Sequence, residues 1–331
     1  MRKEDNEEGL EMRQQTTLFK DMILADDKAR YDDACKRLLA EKMILAWIMR
    51  ACLEEYRPYD VKEIAEKYIE GIPQVSETGI LLEDATSGSK ITATGVEDIT
   101  ITEGKIIFDI RFNAIAPKSG KIEHYIINVE AQNNFYPGYP LVKRAIYYGS
   151  RMISAQYGTI FVKSHYERIQ KVYSIWICMN PPKERRNTIT GYSITEDNYV
   201  GHVTEKKEYY DLLTIIMICL GISEEDSHNK ILRLLYLLFL SDREPDKKCE
   251  ILEKEFDIPM TEAIEREVTT MCNLSQGVEN RGIAKGIQQG IQVLISVFKE
   301  LGKTYEETTE KVQEKFSLTE EQAAESMEKY W

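Results

Sequence analysis

The feature that most constrains the fold is a pair of apolar, β-branched segments separated by a short polar turn. The segments are Lys105–Asn113 and Ile122–Ala131, and Lys118–Lys121 between them has the composition of a turn. Such segments predict two neighbouring strands, in which successive side chains point to opposite faces of a sheet. Each segment nevertheless carries an acid inside its apolar run, Asp109 in the first and Glu130 in the second. We therefore place both acids in the sheet itself.

The flanking segments extend this pattern into an alternation of helices and strands. Helices are predicted at Tyr31–Tyr56, Val61–Ile69 and Leu141–Gln156 and, as buried helices, at Leu212–Ile222 and Ile231–Leu240. Two further strands are predicted, at Val96–Thr102 and Val172–Met179. From about Glu205 onward the chain is expected to be mainly helical. Together these elements predict an α/β (α+β) fold with a mixed central sheet, flanking helices and a helical C-terminal region.

Changes in residue composition and hydrophobic periodicity along the chain predict four regions. They are an N-terminal helical segment that includes the first core helix (1–75), a core domain (76–200), a helical subdomain (201–275) and a glycine-repeat and helical tail (276–331). In the tail, Gly282, Gly286 and Gly290 recur every four residues, so on a helix they form one stripe. This stripe indicates either close backbone approach or a weakly stable connector. Two capping boxes, at Thr304–Glu307 and Thr319–Gln322, predict the starts of the last two helices.

Composition excludes several functional classes. The six cysteines and four histidines are scattered, which argues against a zinc site or a disulfide framework. The longest apolar runs are shorter than the ~20 residues that span a bilayer, and the start of the sequence lacks the pattern of a signal peptide. We therefore expect a cytoplasmic protein with no membrane contact.

The net charge of −13 argues against a nucleic-acid partner, but the charge is unevenly distributed. Residues 104–190 contain thirteen Lys and Arg and five Asp and Glu, an excess of eight positive charges. This excess indicates either chance and solvated loops or a phosphate-facing surface confined to one domain.

The two strand acids suggest a metal site. Like charges repel, and burial disfavours ionisation, so carboxylates at Asp109 and Glu130 need a compensating cation. Mg²⁺ accepts a few carboxylates and retains water and phosphate ligands, and the carbonyl of Ala131 would add a further oxygen. Gln132 shares a strand face with Glu130 and is placed to orient an attacking water. The competing interpretation is a pair of surface acids on strands.

These residues resemble a known family. Asp109 followed by Glu130-Ala131-Gln132 is similar to the Asp…(Asp/Glu)-x-Lys signature of the PD-(D/E)XK nuclease superfamily, and most closely to its recombination-promoting nuclease (Rpn) and transposase branch, in which glutamine replaces the lysine. The segments Gly104–Ile110, Ile127–Gln132 and Arg144–Tyr148 also match in order. The resemblance implies a restriction-endonuclease-like core, with Asp109 and Glu130 as metal ligands and catalytic residues and Gln132 as a polar catalytic residue.

The resemblance also implies an acid on the first core helix. The candidates are Asp32, Asp33 and Glu41, because Asp32–Lys36 loosely matches an Asp-x-x-Phe-Lys pattern with cysteine in the aromatic position. Glu97, on the first predicted strand, is an alternative. The helix after the sheet supplies candidate DNA-binding residues, which are Lys143, Arg144, Tyr148 and Arg151. For Arg144 and Tyr148 the alternative is an ordinary amphipathic helix with the arginine at its rim.

The resulting functional hypothesis is a Mg²⁺-dependent DNA endonuclease, with Mn²⁺ as a substitute metal, linked to recombination or transposition. A second hypothesis is a catalytically inactive protein that keeps the nuclease fold and uses its helical half for oligomerisation or partner binding. The sequence does not distinguish DNA from RNA. Cutting both strands of a duplex commonly requires two active sites, so we expect a homodimer.

Overall fold

The computed structural model describes residues 29–76, 97–100, 104–117, 123–223 and 229–331 of the chain. The Lys118–Lys121 turn and Glu103 therefore lie outside the described residues. Residues 29–272 belong to one compact unit and residues 273–331 to another. Within the described ranges, no helix combines the length and the apolarity needed to cross a membrane.

The first unit is built on eight strands. In chain order they are β1 (Gln74–Val75), β2 (Glu97–Thr100), β3 (Gly104–Ile107), β4 (Ile110–Ile115), β5 (His124–Gln132), β6 (Val172–Cys178), β7 (Thr188–Ser193) and β8 (Leu213–Cys219). Six of them form a mixed sheet in the order β1-β4-β5-β6-β8-β7, and β2 pairs separately with β3. The neighbours β5, β6 and β8 run parallel, and the outer pairs are antiparallel. This mixed sheet confirms the predicted fold class.

Helices cover both faces of the sheet. The helices and helical turns are α1 (29–39), α2 (Lys42–Cys52), a 3-10 turn (Glu54–Tyr56), α3 (Val61–Glu63) with a π-helical continuation (Ile64–Tyr68), α4 (Leu141–Ser154), 3-10 turns at Tyr166–Arg168 and Lys183–Arg185, α5 (Lys207–Tyr210), α6 (Lys230–Phe239), α7 (Pro245–Phe256), α8 (Glu262–Glu300), α9 (Tyr305–Phe316) and α10 (Glu320–Tyr330). Buried residues of α1, α2 and α6 pack with β4, β5, β6 and β8 in the largest core cluster. Residues of α4 pack on the opposite face, against β6 and β8.

The strand predicted at Lys105–Asn113 is interrupted. Residues of β3 pair with β2, whereas β4 pairs with β1 and β5, and Phe108 and Asp109 between them are outside both strands. The backbone N–H of Asp109 donates to a side chain, Glu130 Oε1, rather than to a neighbouring strand. The interruption therefore coincides with the acid that the sequence had placed inside a strand.

The buried helix predicted at Leu212–Ile222 is wrong. Leu213–Cys219 is β8, a central strand paired with β6 on one side and β7 on the other. The periodicity of a short apolar segment does not distinguish a strand covered on both faces from a buried helix. The isoleucines of this segment favour the strand. β7 was not anticipated from the sequence, and β8 carries the sheet past residue 200.

The continuous helix predicted at Tyr31–Tyr56 is instead two helices, α1 and α2. The chain breaks at Glu41, whose backbone is extended (φ −64°, ψ 126°) and precedes the first residue of α2. Each helix then buries its own apolar face in the same core cluster. Apolar periodicity located both buried faces but does not show a change of helix axis.

The second unit contains the end of α8 with α9 and α10. Both capping boxes are confirmed, since Thr304 and Thr319 accept hydrogen bonds from the N–H groups of Glu307 and Gln322, whose side chains accept in return. In the glycine stripe, a Cβ added at Gly290 would lie 3.1 Å from the ring of Phe316, so close approach holds there. A Cβ at Gly286 would meet nothing within 4 Å, and the surroundings of Gly282 lie outside the described part.

Candidate active site

Asp109 is hydrogen-bonded to Glu130 and to its neighbour Ala131 at adjacent strand ends. The N–H of Asp109 donates to Glu130 Oε1 over 3.2 Å, and the N–H of Ala131 donates to Asp109 Oδ2 over 3.0 Å. The antiparallel register, which places Ile110 opposite Val129, brings the two residues side by side. Hydrogen bonds to backbone N–H groups thus position both carboxylates, although Asp109 itself lies in the interruption between β3 and β4.

The Glu130 carboxylate is buried on the α4 side of the sheet. Its residue is only 3% exposed, and Oε1 also accepts a 3.1 Å hydrogen bond from Asn128 Nδ2. Burial first, and the charge of Asp109 second, raise the pKa of Glu130 well above its ordinary value. A carboxyl group held in this state is costly for the fold, which is typical of a functional site.

Lys36, which sequence reasoning did not select, connects the pair to α1. Its Nζ lies 2.6 Å from Asp32 Oδ2 and 3.1 Å from Asp109 Oδ1, and the residue is 4% exposed. Burial raises the pKa of Asp109, and the Lys36 charge opposes that rise. The signal available in the sequence was a lysine next to buried helix positions, four residues after an acid on the same face.

The other candidate acids are placed differently. Asp33 follows Asp32 on α1, and successive helix residues point about 100° apart. Glu41 lies between α1 and α2, where burial and the neighbouring charge of Glu267 raise its pKa. Glu97 is the first residue of β2, and its side chain lies outside the described part of the chain. Among these candidates, the structure links Asp32 to the carboxylate pair through Lys36.

Gln132 ends β5 and begins the connection to α4. Its Nε2 donates a 2.6 Å hydrogen bond to the carbonyl of Asn134. Strand alternation puts it on the face of Glu130, where its neighbour in β6 is Cys178. The amide nitrogen is therefore used to hold the following loop.

Arg144 of α4 stands over two aromatic rings beside Glu130. Its guanidinium carbon is 4.9 Å from the centroid of the Tyr148 ring and 5.2 Å from that of Trp176, and Nη2 donates to the Tyr148 hydroxyl over 2.9 Å. The charge of Arg144 lowers the pKa of Glu130, against the larger effect of burial. Arg144 is thus held rigidly with its charge directed to the carboxylate pair.

Two other predicted DNA-binding residues lie on the same helix with opposite exposure. Lys143 is exposed. Arg151 is 3% exposed and donates to the Tyr147 hydroxyl over 3.2 Å, so its guanidinium is not presented to a phosphate. Of the two, only Lys143 has the accessibility that a backbone contact requires.

The donor atoms at this site suit Mg²⁺. Asp109 and Glu130 offer carboxylate oxygens and Ala131 a backbone carbonyl, which are the hard donors that this ion prefers. Within the described residues, His, Cys, Asp and Glu side chains nowhere assemble in groups of three or more. A site with two carboxylates, a carbonyl and several water or phosphate ligands matches Mg²⁺ better than Zn²⁺.

Comparison with known proteins agrees with this geometry. A scan against protein-family models matches the model of a PD-(D/E)XK nuclease family transposase over residues 85–282. The chain belongs to this family. No curated protein matches the chain, and neither does any solved structure. The match contains the strands and the helix of the candidate site but begins after α1, so it covers neither Lys36 nor Asp32.

Proposed function

We propose that this member of the transposase family is a metal-dependent DNA endonuclease that hydrolyses phosphodiester bonds during recombination or transposition. The observation that carries the proposal is the buried Glu130 linked directly to the partly buried Asp109, with the Lys36 ammonium 3.1 Å from Asp109. Such a pair destabilises the fold unless it binds a cation.

Asp109, Glu130 and the carbonyl of Ala131 would hold Mg²⁺, or Mn²⁺ in its place. The bound ion would polarise the phosphodiester and lower the pKa of a water ligand. Gln132, whose Nε2 is engaged by Asn134, presents its amide oxygen as an acceptor that orients the attacking water.

Two cationic residues supplement the neutral Gln132. Lys36 carries the positive charge that a lysine would carry at the Gln132 position, and it reaches Asp109 from α1. Arg144, stacked on Tyr148 and Trp176, is placed to bind a phosphate oxygen on the other side of Glu130. A positive charge close to the phosphoryl group stabilises the negative charge that develops there and lowers the barrier to hydrolysis.

The distribution of basic residues supports a nucleic-acid substrate, although less strongly than the sequence suggests. Arg111 and Arg151 are buried, and Lys171 is ion-paired with Asp211 at 2.7 Å, so these three cations do not form the surface. Exposed cations remain on α4, at Lys143, and in the turn after β6, at Lys183 and Arg185. This surface can bind the DNA backbone.

Plasmid nicking tests the proposal. Wild type, Asp109→Ala and Glu130→Ala are incubated with supercoiled plasmid and Mg²⁺, Mn²⁺ or EDTA. The matched control is Glu167→Ala, which removes a surface carboxylate that is 66% exposed. We expect metal-dependent nicking by wild type and the control, and at least ~1,000-fold less by either site variant.

Equal nicking by the site variants would overturn the assignment of the site. Absence of cutting by wild type with every metal would favour an inactive nuclease fold that acts in partner binding. Light scattering of the full chain, with and without DNA, tests the expected homodimer.

A further inference from the structure

A pocket of about 430 Å³ lies in the unit that carries the carboxylates, and Tyr139 in its lining contacts Arg144. Its walls are the connection from β5 to α4, which contributes Phe135, Tyr136 and Tyr139, and the strands β7 and β8, with Arg185 at the edge. The volume is within the range of about 300–1,000 Å³ that small-molecule pockets have. All of these residues belong to the same compact unit as the carboxylates.

Chain geometry places this pocket close to the scissile position. Phe135 follows Gln132 by three residues, so their Cα atoms are at most about 11 Å apart. That distance corresponds to about three stacked nucleotides at ~3.4 Å each. The hydrogen bond from Gln132 to Asn134 attaches the pocket wall to the end of β5. The pocket wall therefore begins within about three nucleotide lengths of the end of β5.

The lining has the chemistry of a base-binding site. Tyr136 is 64% exposed and Tyr139 46%, so both rings are accessible. Phe135 and Tyr136 stand edge to face with centroids 5.0 Å apart, and the guanidinium of Arg185 lies 5.8 Å from the Phe135 ring centroid. Aromatic rings beside arginine bind bases by stacking while the arginine attracts the phosphate.

The backbone conformation of the connection and a contact with α4 position these rings. Gly138 has φ +98°, a conformation that glycine adopts and other residues rarely do. The hydroxyl of Tyr139 faces the Nη1 of Arg144, the cation beside Glu130, at 3.5 Å. An apolar peptide would also fit an aromatic pocket, but the exposed guanidinium of Arg185 in its lining favours an anionic ligand.

We propose that this pocket binds an unpaired nucleobase of the DNA strand that is cut, by stacking it on Tyr136 and Tyr139 while Arg185 contacts a flanking phosphate. The proposal rests on the proposed endonuclease function and specifies its substrate as DNA with an unpaired or extrudable base near the cleavage site. Extrusion costs least at mismatches, bulges and single strands.

The test uses the full chain in EDTA with duplexes that carry a single 2-aminopurine, either bulged or paired. Wild type is expected to quench the bulged base on stacking and to bind that duplex about tenfold more tightly than the paired one. Tyr136→Ala should lose the quenching and the preference, and Tyr136→Trp should keep both. Arg185→Gln should weaken binding of both duplexes. The control is Tyr199→Ala, which removes a tyrosine that is 93% exposed and outside the pocket.

Unchanged quenching and preference in Tyr136→Ala would overturn the proposal, and so would equal affinity of wild type for the two duplexes. Plasmid nicking in Mg²⁺ is measured in parallel to separate the two proposals. Nicking that requires Asp109 and Glu130, without 2-aminopurine quenching, would remove only the pocket assignment. Quenching by a chain that never nicks would support base binding and remove the endonuclease function.

Discussion

The two faces of β5 differ sharply in what they bury. On the face toward α1, α2 and α6, Ile127 and Val129 are fully buried in the main hydrophobic core. On the face toward α4, Asn128 and Glu130 are also buried, but they are polar. The side-chain oxygen of Asn128 has no hydrogen-bond partner within the described residues. One face of β5 thus stabilises the fold, whereas the other buries polar groups, which costs free energy of folding.

Along β5, residues that pack in the hydrophobic core therefore alternate with residues of the candidate site. Buried polar groups cost free energy unless they are paired, so a strand selected for stability alone would carry apolar residues on both faces. The polar face also faces Arg144, and Lys36 compensates Asp109 at its end. The polar residues therefore belong to the proposed active site, and substitutions on the two faces should have opposite consequences.

The largest expected effect comes from placing an acid on the apolar face. Val129→Asp would bury a carboxylate among aliphatic side chains without a cation, which costs more than ~4 kcal/mol. We expect loss of the cooperative unfolding transition, measured by circular dichroism during urea titration. The adjacent Glu130→Val should still unfold cooperatively. A folded Val129→Asp protein would contradict the proposed division between the faces.

Removal of the buried cation should come next. Lys36→Met leaves Asp32 and Asp109 without the ammonium between them, and we expect nicking to fall by about 100-fold. Lys36→Arg should retain part of the rate. Lys67→Met serves as the control because Lys67 forms a surface ion pair with Glu63 at 3.1 Å. Full activity in Lys36→Met, measured over a range of Mg²⁺ concentrations, would assign the lysine to folding alone.

Gln132→Lys should have a smaller effect in the opposite direction. The substitution restores a positive charge at the position where most of the superfamily signature has lysine, while Lys36 still supplies its own. We expect the nicking rate at limiting Mg²⁺ to rise, but by no more than about tenfold, or ~1.4 kcal/mol. A large decrease would show instead that the Gln132 hydrogen bond to Asn134 is needed to hold the site.

The smallest effect is on stability. Glu130→Gln keeps an oxygen for the N–H of Asp109 and the amide of Asn128 but removes the charge. Because the folded pKa of Glu130 is raised, wild-type stability is complete below the unfolded pKa of about 4.3 and declines as the pH rises toward the folded pKa. The variant should therefore gain about 1 kcal/mol, or ~2–4 °C in Tm, at pH 8 and almost nothing at pH 4.

Calorimetry at the two pH values checks this gain. Added Mg²⁺ should raise the Tm of wild type more than that of Glu130→Gln, because a ligand stabilises the folded state that binds it. A variant less stable than wild type at pH 8 would show that the charge of Glu130 is fully compensated in the fold.

The sequence predicted the carboxylate pair better than it predicted the elements around it. Asp109 and Glu130 are identified by their contrast with apolar neighbours, which is a local signal. β8 was mistaken for a helix because both faces of a central strand are apolar, and the break at Asp109 was missed because it depends on a hydrogen bond to Glu130, 21 residues away. Lys36 was missed for the same reason, since its partner Asp109 is brought near by packing of α1.

The eight residues between β5 and α4 form a connection that can evolve separately from the carboxylates. Glu130 lies on an interior strand and Asp109 is hydrogen-bonded to it, whereas Tyr136 and Tyr139 are exposed on a connection. Connections tolerate replacement and changes of length far better than central strands. Descendants of this gene can therefore change the proposed base pocket by altering the connection while inheriting the proposed metal-binding carboxylates unchanged.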